Sequence, residues 1–407
     1  MRFIDKLLDA EAEYFKVRFR MVDLIFAAVM LALGLIFRLS LYDIASGDYT
    51  LSFADWMREC HEAGGFAYLG IQPGISDAST FDYNCMFQYI IVLLHYIGGG
   101  VNDMYLVKTV SVIFDVVCAI TIGRITYEVT FGDVRKSILA FGCIMFLPTS
   151  VLNSGAWAQN DAIFGAFLLL AFLHFVKGNS NRGFIYLAIS YSFKQQAVFL
   201  LPFIIILWLK NKIRLRYVFW VPVIYVLSTI PAVIAGRNFG ELLGIYGNQA
   251  QMFSRLSMNY PSIYTIITGK IDVDTRKMVI HAGVICTVAI LGALAYVIRN
   301  KKFKVTGDYM VTLAIFTILL CCFCLPTMHE RYAYVAELLA VVYAMLNYKR
   351  VAVCIFLQVI AMITYTRFLF GSTVTILWPL TVAMLVIMLA VGRDLYLQMK
   401  VPEESND

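Results

Sequence analysis

The chain has 407 residues, of which 60% are hydrophobic and only 15% charged. Soluble domains carry about a quarter charged residues, so this composition excludes one and points to an all-α polytopic membrane protein. The net charge of +6 is what basic inner loops produce, and it calls for no nucleic-acid partner.

The first twenty residues mix Arg2, Lys6, Lys16, Arg18 and Arg20 with Asp5, Asp9, Glu11 and Glu13. That mixture excludes a cleavable signal peptide and predicts an amphipathic helix on the cytoplasmic face. Apolar runs then follow near 21–41, 104–127, 136–152, 160–176, 182–195, 196–210, 217–235, 277–298, 308–325, 331–347, 350–367 and 374–392. These predict about twelve transmembrane helices (11–13) in one domain over 1–407, since lipid leaves no backbone group without a partner. The runs at 86–99 and 260–268 are too short to cross and predict interfacial or re-entrant segments in two outer loops, 39–103 and 236–276. This topology places Arg135, Lys136, Lys177, Arg182, Lys210, Lys212, Arg214, Arg216, Lys301, Lys302, Lys304, Lys349 and Arg350 inside. Both termini then lie in the cytoplasm. The loops are short, which suits a bacterial plasma membrane.

Most cysteines sit in apolar runs, where they act as small hydrophobes, and no Cys/His metal spacing appears. Cys60 and Cys85 share the first outer loop and are expected as free thiols.

On this topology the polar residues gather at the outer ends of the helices. Asp48 follows Ser46-Gly47, a turn that brings backbone and carboxylate close to a ligand; a desolvated Asp there can accept a proton from a hydroxyl, and a solvated loop Asp is the alternative. Asp82, Tyr83 and Asn84 supply a carboxylate and an amide suited to sugar hydroxyls, while Asn84 equally suits a helix cap. Trp157 with Gln159, Asn160 and Asp161 suits stacking on a sugar face, against an interfacial anchor and a cap. In PTMHERYAY (326–334), Arg331 and His329 suit a phosphate, with Lys194 as a second cation; a Glu330–Arg331 ion pair is the structural alternative. Arg255 and Gln195 lie at the same level. The oxygen ligands Asp48, Asp82 and Asp161 would suit Mg²⁺ or Mn²⁺ if a metal were used, and no cofactor is expected.

SGDYTLSFADWM, FDYN, GAWAQND and PTMHERY in this order resemble the GT-C superfamily of lipid-phosphosugar glycosyltransferases, and within it the bacterial Gpi18-like mannosyltransferases. The first of these motifs is also similar to the first lumenal loop of the dolichol-phosphate-glucose glucosyltransferases. The resemblance runs from Arg38 to about Arg367. It departs where FDYN continues as Cys85-Met86, a place where relatives often carry prolines, and around HERY, where eukaryotic members differ.

What the resemblance implies is inverting transfer of a hexose, mannose or glucose, from undecaprenyl or dolichyl phosphate to a glycan or lipid-linked acceptor outside the cell. Asp48 matches the loop carboxylate assigned as catalytic base. Arg331, His329, Lys194 and Arg255 would hold the donor phosphate. Tyr49, Asp82, Tyr83, Asn84, Trp157, Gln159, Asp161, Gln195, Glu330 and Tyr332 would contact sugar and acceptor. A phosphate leaving group needs no metal when cations neutralise it. The rival class is a multi-pass transporter or flippase of lipid-linked sugars, whose polar residues would line a path through the bilayer.

Overall fold

The computed structural model describes residues 11–14, 17–71, 84–252, 255–267, 271–371 and 376–402. It is an all-α polytopic membrane protein with no sheet core among the described residues. Every apolar run read as a crossing is occupied by helix. The elements in order are α1 (Met21–Leu39), α2 (Ala54–Ala63), α3 (Met86–Ile97), α4 (Asp103–Val129), α5 (Val134–Phe146), α6 (Pro148–Ala156), α7 (Asp161–Val176), α8 (Ser180–Phe193), α9 (Leu201–Leu209), α10 (Trp220–Ile234), α11 (Phe239–Met252), α12 (Val273–Asn300), α13 (Gly307–Cys324), α14 (Tyr334–Leu346), α15 (Val351–Phe370) and α16 (Leu377–Gln398). Among the described residues seven helical stretches are long and apolar enough to cross a bilayer unaided, and α5 with α6, bent by 45°, makes an eighth if the pair is one span. α3, α7, α14 and the stretch Gln195–Leu209 are shorter apolar helices.

The bend has a local cause. Pro148 has no N–H and pushes Leu147 out of helical geometry, so the ladder breaks there. The carbonyl of Met145 would have accepted from Thr149; it accepts instead from Arg38 Nη1 at 2.6 Å. The Thr149 N–H donates to Gln358 Oε1 at 3.0 Å. Arg38 is wholly buried, and its Nε donates to Asp115 Oδ2 at 2.8 Å while Nη2 donates to Ser150 Oγ at 2.8 Å. Asp115 also accepts from Ser154 and Tyr334, so one ion pair joins α1, α4, α6 and α14.

The expected amphipathic helix at the N-terminus is not what forms in its described part. Glu11–Tyr14 (β1) and Val17–Arg20 (β2) make an antiparallel hairpin whose register sets Glu11 opposite Arg20 and Glu13 opposite Arg18. The polar–apolar alternation of these residues has the period of a strand. The segment between α1 and α4 does carry two further helices, α2 and α3, around an aromatic core of Phe53, Trp56, Tyr68 and Phe87. The run 260–268 holds only a 3₁₀ turn at Ile263–Ile266, after a two-residue strand, β3 (Ser257–Met258), that pairs in parallel with β4 (Met328–His329). Cys60 and Cys85 are both free.

The two ends of the bundle differ chemically. At one end the basic loops touch each other: Lys177 Nζ is 2.8 Å from Glu128, Lys210 Nζ donates to Lys301 O at 2.7 Å, and Arg350 bridges Asp308 and Asp394 at 2.6 Å each. The opposite end collects the loop after α1, the α6–α7 connection, the α8–α9 junction and the 326–333 segment.

Candidate functional site

Four separate segments converge at that second end. In the first, Ser46 Oγ donates to the carbonyl of Trp157 at 2.6 Å and accepts from the Tyr49 N–H at 3.2 Å, which pins the turn to the α6–α7 connection. Asp48 stands at the head of a π-helical turn, Tyr49–Phe53, but its side chain makes no cap bond and is left for other partners. In the second, Ala158 adopts a left-handed conformation, φ 63°, between Trp157 and Gln159. That turn lets the side chains on either side of it aim the same way. Trp157 Nε1 donates to Asp48 Oδ2 at 3.0 Å, and Gln159 Nε2 donates to the same oxygen. No donor among the described residues reaches Asp48 Oδ1, so the carboxylate is oriented through one oxygen and open at the other. Gly155, near the end of α6, packs closely on the end of α1: a Cβ there would sit 3.2 Å from the Arg38 carbonyl.

The third and fourth segments bring the cations. Lys194 closes α8 in extended geometry, and its Nζ donates to Asp161 Oδ1 at 2.6 Å. Asp161, buried at the start of α7, also accepts from Asn153 Nδ2 at 2.8 Å. Arg331 Nε lies 3.4 Å from Asp161 Oδ2, and its Nη1 lies 3.9 Å from Asp48 Oδ2 and 3.3 Å from Glu330 Oε1. The guanidinium packs on the Trp157 ring, 5.5 Å from the centroid. The result is a continuous array, Asp48–Arg331–Asp161–Lys194, with Glu330 behind it. Burial pushes the Glu330 carboxyl up to about 7, against the pull of Arg331. Burial, aided by Arg331 and Lys194, holds His329 well below the ordinary imidazole range, so it enters as a neutral ring rather than a cation.

Of the sequence candidates, Asp48, Trp157, Gln159, Asp161, Lys194, Glu330 and Arg331 therefore meet in one place, with His329 close enough to feel both cations. Tyr332 packs against His329 and Phe199 beside the array. With Gln195 it lines a cavity of about 240 Å³ that shares Val198, Phe199 and Leu325 with an apolar cavity of about 380 Å³ between α9 and α12. Tyr49 packs in the outer-loop core next to Asp48. Arg255 is exposed, yet Leu256 beside it accepts from the Thr327 N–H at 2.8 Å, so its segment adjoins 326–332. Asn84 is buried just before α3, where its Oδ1 accepts from the Cys85 N–H at 2.8 Å. Asp82 and Tyr83 lie outside the described residues.

Sequence reasoning missed Ser46 and Asn153, which orient the array, and Lys108, whose buried Nζ donates to the carbonyls of Leu41, Tyr42 and Ile44 at 2.7–3.1 Å. Lys108 was detectable: an ionisable residue within an apolar run is expensive enough to imply a partner. Among the described residues no group of three or more His, Cys, Asp or Glu side chains is arranged to hold a metal ion. Arg331 and Lys194 stand against the oxygens of Asp48 and Asp161 where a divalent cation would have to sit, so these two carboxylates do not fit one.

No known protein family matches the sequence, nor does any curated protein. The fold is similar to that of ArnT from Cupriavidus metallidurans, whose crystal structure has bound undecaprenyl phosphate: the TM-score is 0.55 at 11% identity, over 91% of this chain and 77% of that one. The likeness is one of fold, at a TM-score above 0.5 over nine-tenths of this chain.

Proposed function

We propose that this protein transfers a hexose, mannose or glucose, from a polyprenyl-phosphate donor to a hydroxyl of a glycan or lipid-linked saccharide on the extracytoplasmic face, with inversion. The observation that carries the reading is the array itself, a carboxylate oriented through one oxygen beside the buried Lys194 and the partly buried Arg331, set in an ArnT-like fold. Asp48 Oδ1 takes the proton of the acceptor hydroxyl while that oxygen attacks the anomeric carbon. The bond from that carbon to the phosphate oxygen breaks on the opposite face, and the lipid phosphate leaves as an anion held by Arg331 and Lys194. Trp157 and Gln159 fix the base, and His329 offers the phosphate or sugar a hydrogen bond without charge. The cavity at Tyr332 and Gln195 and the apolar cavity below it suit the first isoprene units of the donor.

The test is transfer of radiolabel from undecaprenyl-phosphate mannose, glucose and galactose in membranes holding the intact protein or Asp48→Asn. Transfer by the intact protein, lowered at least about 10²-fold in Asp48→Asn, supports the assignment. Equal transfer by both proteins removes Asp48 as the base; no transfer from any donor overturns the enzymatic reading in favour of a carrier for lipid-linked sugars.

A further inference from the structure

The array contains more negative charge than an anion-binding site can tolerate. Asp48, Asp161 and Glu330 surround Arg331 and Lys194, three carboxyls against two cations, while His329 contributes none. If all three were ionised, the site would be net negative before an anionic donor arrived, and among buried side chains that repulsion is weakly screened. One carboxyl must therefore be neutral when the donor is bound.

The contacts single out which one. Asp161 accepts from Lys194 and Asn153 and faces Arg331, and Asp48 accepts from two donors and is partly exposed to solvent, 29% at its side chain. Glu330 is fully enclosed, touches Arg331 through Oε1 alone, and its Oε2 is buried with no hydrogen bond. The charged and titratable groups shown to act on it are Arg331 on its own segment, Asp48 from the loop after α1 and Tyr365 from α15.

Resting on the donor reading above, we propose that Glu330 is a positioning residue that takes up a proton when the donor binds: ionised, it competes with the donor phosphate for Arg331, and protonated, it releases the guanidinium to that phosphate. Burial already holds this carboxyl at about 7, so the competition falls within the physiological range. The sign follows directly. Because the bound state favours the protonated carboxyl, affinity is full below about pH 7 and falls as pH rises, by about tenfold per pH unit.

The experiment uses the full chain in lipid nanodiscs and undecaprenyl-phosphate mannose and glucose, phosphodiesters whose own charge does not change between pH 6 and pH 8.5. Calorimetric titration should show Kd rising about tenfold per unit above about pH 7, and buffers of different ionisation enthalpy should report uptake of close to one proton at pH 8. Glu330→Gln should bind with a flat pH profile and no proton uptake, while Glu330→Asp should retain a slope. A flat profile or no proton uptake in the intact protein overturns the proposal without any variant, as does an unchanged slope in Glu330→Gln; either leaves the donor reading standing. Failure of both lipids to bind at any pH removes the donor reading itself, and this inference with it.

Discussion

Lys194 shows how much depends on one side chain at this site. Surface ion pairs are worth little, but Lys194 and Asp161 are both 3% exposed and 2.6 Å apart. Lys194→Met keeps the apolar stem and removes the ammonium; Asp161 retains Asn153 and Arg331, and draws Arg331 away from any incoming phosphate. Loss of a charge-assisted bond of about 1.5–3 kcal/mol predicts a donor Kd raised about tenfold to a hundredfold, measured by calorimetry. A change under about twofold would take Lys194 out of donor binding. The candidate residues were legible because each lies where an apolar run meets polar sequence. What could not be read was their pairing: nothing in the spacing of Asp48, Asp161, Lys194 and Arg331 says that one guanidinium faces three carboxyls.

At the scale of elements, the run 136–152 reads as a crossing, and what it does not show is how the break at Pro148 is repaired. Pro148 in that run was a visible break, but its remedy was remote: Arg38, 107 residues earlier than Met145, fills the freed carbonyl. Arg38 and Asp115 are each fully buried, so removing one partner should be costly and removing both much less so. Arg38→Leu should destabilise the protein by about 3–5 kcal/mol, because Asp115 keeps only its hydroxyl partners Ser154 and Tyr334. Arg38→Leu with Asp115→Leu should recover a large part of that loss. Denaturant unfolding in detergent checks it, and additive losses in the two single variants and the double one would show that the pair does not act as a unit. The N-terminal hairpin teaches a complementary lesson. Its charge content was taken as amphipathic helix, although the strict alternation from Glu11 to Tyr14 and from Val17 to Arg20 carried the strand period.

At the scale of the whole molecule, the lengths of the helices place the array. α7 and α14 have 16 and 13 residues, roughly 24 and 20 Å against a core of about 30 Å. Both begin at the array, at Asp161 and Tyr334, and both end among the basic loops, at Val176 and Leu346. The array therefore lies at the end of the bundle from which these two short helices start, and Arg331 and Lys194 act there at close range. The clustering of Lys177, Lys210, Lys301 and Arg350 at the other end predicts that end to be cytoplasmic, which puts the array outside. In a background with the nine native cysteines replaced, Gly47→Cys next to the array and Lys212→Cys in a basic loop supply two exposed reporters. A Cβ at Gly47 meets nothing within 4 Å, so that substitution should not disturb Asp48. In intact cells a membrane-impermeant maleimide should label the cysteine at 47 and not the one at 212, which should react only after permeabilisation. The reverse pattern would turn the molecule over, placing Asp48 and Arg331 in the cytoplasm and requiring a donor presented on the inner leaflet. Labelling of both in intact cells would break the odd number of crossings, five, that the topology places between positions 47 and 212.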